Sequence, residues 1–299
     1  MLKVPEHQVA GHIARDGKLG PLVDDEGRFF KPLQGDSRGE HEAKFYDSFS
    51  SNKKVPDHIH RYFPVYHGTQ LVEASDGSGK LPHLVLEDVV SGYSNPSVMD
   101  VKIGSRTWYP DVSEEYFKKC IKKDRDTTTV SLGFRVSGFK IFDHQELSFW
   151  RPEKKLVLGF NADGARSALR KFVSSNSSAD SNSIPNCAFA SEVYGGILTQ
   201  LLELKAWFET QTLNHFNSCS ILMVYENESI LMKGGDDAQA LLRAQVKLVD
   251  FAHVLEGNGV IDHNFLGGLC SFIKFIKDIL QSLDERDDET DTSQLENGN

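Results

Sequence analysis

Pro96-Ser97-Val98-Met99-Asp100-Val101-Lys102-Ile103-Gly104 is the stretch on which the reading of this chain turns. Its alternation predicts a short strand over Val98–Ile103. Met99, Val101 and Ile103 point one way, into a core, and Asp100 and Lys102 share the other face two residues apart. A solvated sheet face with a Lys–Asp pair would read the same way. So would an acid and a cation aimed at one reacting hydroxyl and one phosphate.

On the N-terminal side, Phe63–Leu71 and His83–Val90 read as strands around the turn Asp76-Gly77-Ser78-Gly79. Residues 1–36 read as a hairpin punctuated by Asp16-Gly17, Gly20-Pro21 and Glu26-Gly27, with Lys31 on the short strand Arg28–Leu33. Gly39–Ser50 is expected to be a helix whose Glu42, Phe45, Tyr46 and Phe49 fall on one face. A carboxylate on an otherwise apolar face needs a partner. Lys31 could be an ordinary exposed lysine, but a strand lysine paired with a helix glutamate is how kinases hold nucleotide phosphates.

On the C-terminal side, Ser113–Lys123 reads as an amphipathic helix. Tyr116, Phe117, Cys120 and Ile121 form its apolar stripe, and Lys118 and Lys119 stack over Lys122 and Lys123. Stacked like charges repel, so they suit either a solvated face or a polyanion. Val130–Phe142 is expected to be a strand or hairpin, Ala162–Val173 a helix and Ser174–Ser183 a polar loop. Then come a helix over Glu192–Thr212, a buried strand over Ser220–Tyr225 and an acidic loop over Ser229–Gln245. A second buried strand, Val246–Val254, is interrupted by Asp250. Phe265–Leu283 closes the fold as a helix. Embedded among Leu248, Val249, Phe251 and Ala252, the Asp250 carboxylate calls for a salt bridge or a metal. A strand-rich first third followed by helix-rich sequence predicts an α+β fold, a small β-lobe on a larger mixed lobe, with a nucleotide in the cleft. The expected organisation is an N-terminal lobe over 1–90, a catalytic lobe over 91–283 and a disordered acidic tail over 284–299.

The chain has 299 residues and a formal net charge of −10. Seven acids and one arginine lie in 284–299, so the body carries 36 acids against 32 bases. A mildly acidic body argues against generic nucleic-acid binding, which needs a dominant basic field. The apolar helix candidate near the C-terminus carries Lys274, Lys277 and Asp278, which a membrane span would not tolerate cheaply, and the first residues lack the apolar run of a signal peptide. Membrane insertion is not expected. Four cysteines, at 120, 187, 219 and 270, match no zinc or CxxC spacing and read as reduced thiols. No GxxxxGK[ST] or HRDxxxxN motif is present, which excludes P-loop and standard protein kinases.

Pro-x-x-x-Asp-x-Lys-x-Gly resembles the signature of the inositol polyphosphate kinase family, in the form carried by its short plant-type multikinase members. Three further segments match in order: Ser131-Leu132-Gly133-Phe134-Arg135-Val136, Ser220–Tyr225, and Asp250-Phe251-Ala252-His253 in the place of the kinase Asp-Phe-Gly. The similarity runs from about residue 8 to about residue 283. It implies a two-lobed kinase-like fold with an antiparallel sheet in each lobe and a short helical substrate segment over 105–130. It also implies ATP and Mg²⁺ as cofactors and inositol polyphosphates as substrates. Carried over position by position, it implies that Lys31 and Glu42 serve the ATP phosphates. Adenine would be read by the Glu87 carbonyl and the Val89 N–H, and Asp250 would hold Mg²⁺ with Ser220 nearby. Asp100 and Lys102 would work at the reacting centre. Lys118, Lys119, Lys122, Lys123, Lys140 and His253 are its candidate substrate contacts; a buried, hydrogen-bonded histidine is the other reading of His253. Gln8–His12 would form an opening strand over the phosphates. A monomer acting in nucleus and cytoplasm is expected on the same basis. Two relatives within the family, a position-specific trisphosphate 3-kinase and a hexakisphosphate kinase, remain alternatives, as does a non-catalytic kinase-like scaffold. Only 26 residues separate Gly104 from Ser131, too few for the larger helical insertion of the trisphosphate-specific members.

Overall fold

A computed structural model describes residues 1–11, 14, 17–33, 37–110, 112–174, 187–227 and 242–296. In chain order its first elements are β1 (Leu22–Val23), β2 (Arg28–Pro32), α1 (Ser37–Ser50), α2 (Asp57–His60), β3 (Tyr66–Glu73) and β4 (Lys80–Glu87). Next come β5 (Ser97–Ile103), α3 (Glu114–Asp126), α4 (Thr129–Leu132), β6 (Phe134–Asp143), β7 (Ser148–Trp150), α5 (Lys154–Leu158) and α6 (Ala162–Phe172). The last are α7 (Cys187–Phe208), β8 (Asn214–Phe216), β9 (Ser220–Asn227), β10 (Leu242–Val249), β11 (Val254–Glu256) and α8 (His263–Glu296).

The strands form a four-stranded sheet, β1-β2-β4-β3, a five-stranded sheet, β10-β9-β5-β6-β7, and a small pair, β11-β8. All the pairings are antiparallel. The first sheet belongs to the N-terminal lobe and the second to the C-terminal lobe of a kinase-like α+β architecture. β5 lies at the centre of the larger sheet, and its Met99, Val101 and Ile103 are fully buried. Its other face sets Asp100 opposite Gly138 and Leu222, and Lys102 opposite Arg135 and Ser220. Aromatic side chains join the parts: Phe251, just beyond β10, stacks on Phe45 of α1 at 4.4 Å between centroids and packs edge-on against Tyr46.

The glycine that closes the β5 motif has a steric cause. Gly104 sits at φ +112, and a Cβ there would lie 2.6 Å from Asn264 Nδ2. The Gly104 N–H donates to Gly133 O at 2.8 Å, and Gly268 of α8 presses against both residues. Asn264 in turn accepts from the N–H groups of Ser105 and Arg106 at 3.0 and 3.2 Å, so α8 fixes the turn that leaves β5.

Several expectations are corrected. The stretch from Val130 does not begin as a strand: α4 occupies Thr129–Leu132 and ends on Gly133 at φ 74, so β6 starts at Phe134. The strand around Asp250 is two strands in different sheets, because β10 stops at Val249 and Asp250 turns the chain at φ +70. Residues 242–245, expected in a loop, open β10; most of the acidic loop and of the Ser-rich loop lies outside the described residues. Gln8–Gly11 form no strand. They belong to a segment that crosses β6, where a Cβ on Gly138 would strike Val9 O at 2.1 Å. Helical backbone continues through Glu296, where a disordered tail was expected from residue 284. No helix among the described residues is long and apolar enough to cross a membrane.

Candidate active site

Lys31 lies on the central β2 of the small sheet and is carried toward the larger lobe. Its Nζ is 2.9 Å from the Glu42 carboxylate and 2.9 Å from Asp250 Oδ1. Glu42 is 3% exposed and also accepts from the Phe251 N–H at 3.2 Å. One glutamate thus ties α1 to β2 and to the segment after β10, which answers the question raised by a carboxylate on an apolar helix face. Burial alone would lower the Lys31 pKa, but the Asp250 and Glu42 carboxylates reverse that and raise it. Burial would raise the Asp250 pKa; Lys31, then Lys102 and His253, hold it down at about 2. The Asp250 side chain remains 43% exposed, so it is open to a ligand.

Asp100 has the opposite fate. Burial first, and the Asp250 carboxylate second, push it up to about 6 against the pull of Lys102. The Lys102 ammonium donates to the Ser218 carbonyl at the turn before β9. Three buried oxygens near this pair, Asp100 Oδ1, Ser137 Oγ and Ser220 Oγ, lack a partner in good hydrogen-bond geometry. Ser220 pairs with both Lys102 and Val249, which puts it next to Asp250. Among the described residues no three His, Cys, Asp or Glu side chains form a self-sufficient metal cage. The part-exposed Asp250 carboxylate, with Asp100 and the Ser220 hydroxyl beside it, nevertheless fits Mg²⁺, which binds few protein carboxylates and completes its shell with water and phosphate.

The lysines of α3 divide. Lys123 has its pKa pushed down to about 8, by desolvation first and then by Arg135, Lys102, Lys154 and Lys119. Those five cations therefore share one field beside Asp100. All four lysines of the helix are exposed; Lys118 differs in pairing with Glu114 on its own helix. Lys140 is not brought to this group. It sits opposite Val98, further along β6, donates to Glu6 O at 3.0 Å and lies 3.8 Å above the Phe149 ring. Sequence reasoning missed Arg135 and Lys154 as site cations. Arg135 is 4% exposed and bonds Asp124 and Thr129, and its place opposite Lys102 follows from strand register rather than from any local pattern.

His253, three residues past Asp250, has both ring nitrogens engaged: Tyr109 OH is 2.9 Å from Nδ1 and Tyr116 OH 3.2 Å from Nε2. It joins α3 and the loop before it to the Asp250 segment. At the lobe boundary β4 ends on Glu87. The Glu87 N–H donates to Val65 O and the Asp88 N–H to Gly27 O, both at 2.8 Å.

A lysine–glutamate–aspartate set in the cleft between a small sheet and a larger lobe defines a kinase-type phosphotransferase fold. The sequence model described as Inositol polyphosphate kinase matches residues 83–277, and the chain belongs to that family. It is 89% identical over 301 residues to inositol polyphosphate multikinase beta of Arabidopsis thaliana, covering 100% of both chains. It is 73% identical to the alpha protein of the same plant, covering 96% of this chain and 99% of that one. Among solved structures, an inositol phosphate multikinase with 65% identity aligns over 80% of this chain and 99% of its own at a TM-score of 0.67. One from S. cerevisiae in complex with ADP and Mn²⁺, 20% identical, aligns over 85% of this chain and 99% of its own at 0.65 and shares the fold.

Proposed function

We propose that this protein transfers the γ-phosphoryl group of ATP to more than one hydroxyl of soluble inositol polyphosphates, taking trisphosphate and tetrakisphosphate toward pentakisphosphate, as a multikinase. The carrying observation is that Lys31 bridges Glu42 and Asp250 in the cleft that also holds Asp100, Lys102 and the cations of α3, β6 and α5. Lys31, held by Glu42, binds the ATP phosphates. Asp250 and Ser220 are the residues that would hold Mg²⁺. Bound there, the ion neutralises charge on the β- and γ-phosphate oxygens. Asp100 orients the attacking hydroxyl and takes its proton, and Lys102 meets the charge that develops on the transferring group. Lys119, Lys123 and Lys154 hold the substrate's other phosphates through charge-assisted hydrogen bonds, and Arg135, buried on Asp124 and Thr129, adds positive charge behind them. The Glu87 carbonyl and the Val89 N–H read adenine. Action as a monomer in nucleus and cytoplasm belongs to the same reading and rests on the family resemblance alone.

Incubation with ATP, Mg²⁺ and a panel of inositol phosphates, with products resolved by isomer, tests it. Several product isomers are expected. A single isomer from a single substrate would point instead to a dedicated 3-kinase or hexakisphosphate kinase.

A further inference from the structure

The polar face of β10 is fully used, and every part of it is used on the same stretch of chain. Arg243, Gln245 and Lys247 alternate along one face of the strand. Arg243 donates to Gly92 O at 2.6 Å and lies 4.4 Å from the Tyr93 ring. Gln245 Nε2 donates to Val89 O at 2.7 Å. Lys247 Nζ meets the Glu87 carboxylate at 2.9 and 3.2 Å, and Glu87 Oε2 also accepts from the Val65 N–H at 3.1 Å. Three successive rungs thus fasten the crossover between the lobes, residues 87–93, to one strand. Two residues beyond the last rung, Lys247, the chain reaches Val249 and then Asp250. The strand itself is held firmly: Gln200 of α7 donates to Ala244 O and accepts from the Val246 N–H, and the Leu248 N–H donates to Tyr62 O at 2.7 Å.

From this geometry we infer that Gln245 and Lys247 are positioning residues for the nucleotide. They hold the adenine-reading backbone in fixed register with the metal-binding carboxylate, so the base end and the phosphate end of ATP are located by one strand. The inference rests on the reading of Glu87 and Val89 given above. The Gln245 bond holds the Val89–Val90 peptide, the unit directly after the N–H that would read adenine, and Lys247 anchors the Glu87 side chain, while the Asp88 N–H bond to Gly27 O holds the peptide that carries the Glu87 carbonyl. A nucleotide that spans both ends pays no ordering cost for the crossover.

The test is calorimetric binding of ADP and of inosine diphosphate, at fixed Mg²⁺, to the full chain and to Gln245→Leu, Lys247→Met and Lys247→Arg. Inosine diphosphate lacks the amino group that the Glu87 carbonyl would accept from. The wild type should prefer ADP. Gln245→Leu should weaken ADP binding by about three- to tenfold, the loss of one hydrogen bond. It should also narrow the preference over inosine diphosphate while leaving the KM for inositol phosphates unchanged. Lys247→Met should act in the same direction, and Lys247→Arg should restore most of the loss. Lys247 is buried, so if the methionine variant does not fold, Gln245→Leu decides. A variant that melts earlier yet binds ADP with wild-type affinity would show a merely structural role and overturn the inference. Equal wild-type affinity for the two nucleotides would instead overturn the reading of the crossover itself, before any variant is made.

Discussion

Asp100 and Asp250 are carboxylates near one another whose surroundings drive them apart: the first is pushed up to about 6, the second held near 2. Asp100 is buried, and its raised pKa has a cost in stability. Between about pH 4 and 6 the folded chain binds a proton that the unfolded chain releases, so stability falls as pH rises through that window and stays lower above it. Two units of difference correspond to at most about 3 kcal/mol. Asp100→Asn should therefore melt later than wild type at pH 7.5, with the difference closing near pH 4, while its kcat collapses. A melting difference that does not change with pH would count against this. Wild-type kcat/KM should climb as pH passes through about 6, because Asp100 must be ionised in the free enzyme to accept a proton. Asp250→Asn cannot neutralise a cation or Lys31, and kcat should drop by about 100- to 1000-fold in a folded protein, judged by circular dichroism beside turnover. Retained activity at ordinary Mg²⁺ would remove Asp250 from the metal site.

At the scale of elements, the sequence discloses what alternation or amphipathy encodes. β5 was legible because the apolar Met99, Val101 and Ile103 alternate with the charged Asp100 and Lys102. α1 was legible because Glu42 stands among aromatics. What local pattern cannot encode is register. Arg135 joins the site and Lys140 leaves it because β6 pairs so that 135 faces 102 and 140 faces 98, with a bulge between Asp100 and Val101. The first half of β10 looked like loop because its Arg243 and Gln245 are polar, and their partners lie some 150 residues away. Helix α3 gives a prediction of this kind. Lys119 and Lys123 share a field with Lys102, whereas Lys118 is paired with Glu114. Lys123→Ala and Lys119→Ala should raise the KM for inositol phosphates several-fold, and more for a tetrakisphosphate than for a trisphosphate. Lys118→Ala should have a smaller effect, as exposed pairs are worth about 0–1 kcal/mol. Because free Lys123 titrates near 8, a bound polyanion should draw a proton onto it. Calorimetry at pH 8.5 in two buffers of different ionisation enthalpy should then report proton uptake that disappears in Lys123→Ala.

For the whole molecule, the question is how an acidic protein binds a polyanion. The formal charge is −10, and residues 284–299 carry −6 of it (seven acids, one arginine). The answer lies in distance. α8 runs from His263 to Glu296, and its Asn264 end is fastened to the turn after β5, beside the site. At 1.5 Å per residue, the first acid of the terminal stretch lies roughly 30 Å along the axis from that end. The Debye length at physiological salt is about 8 Å, so charges that far off are screened at the site. The cations around Lys102 act over contact distances and are screened far less. A chain ending at Leu283 should therefore keep its kcat, and its KM for inositol tetrakisphosphate should stay within about twofold at 0.15 M salt. When salt is lowered to 0.01 M the Debye length grows to about 30 Å. The shortened chain should then bind the substrate more tightly than the full chain, because a repulsive field has been removed. Steady-state kinetics of both chains across that salt range decide the matter. A large change in KM at 0.15 M would mean that the terminal acids reach the site directly, through a fold of the helix back onto the cleft, and that the separation of a local basic pocket from a distant acidic arm is wrong.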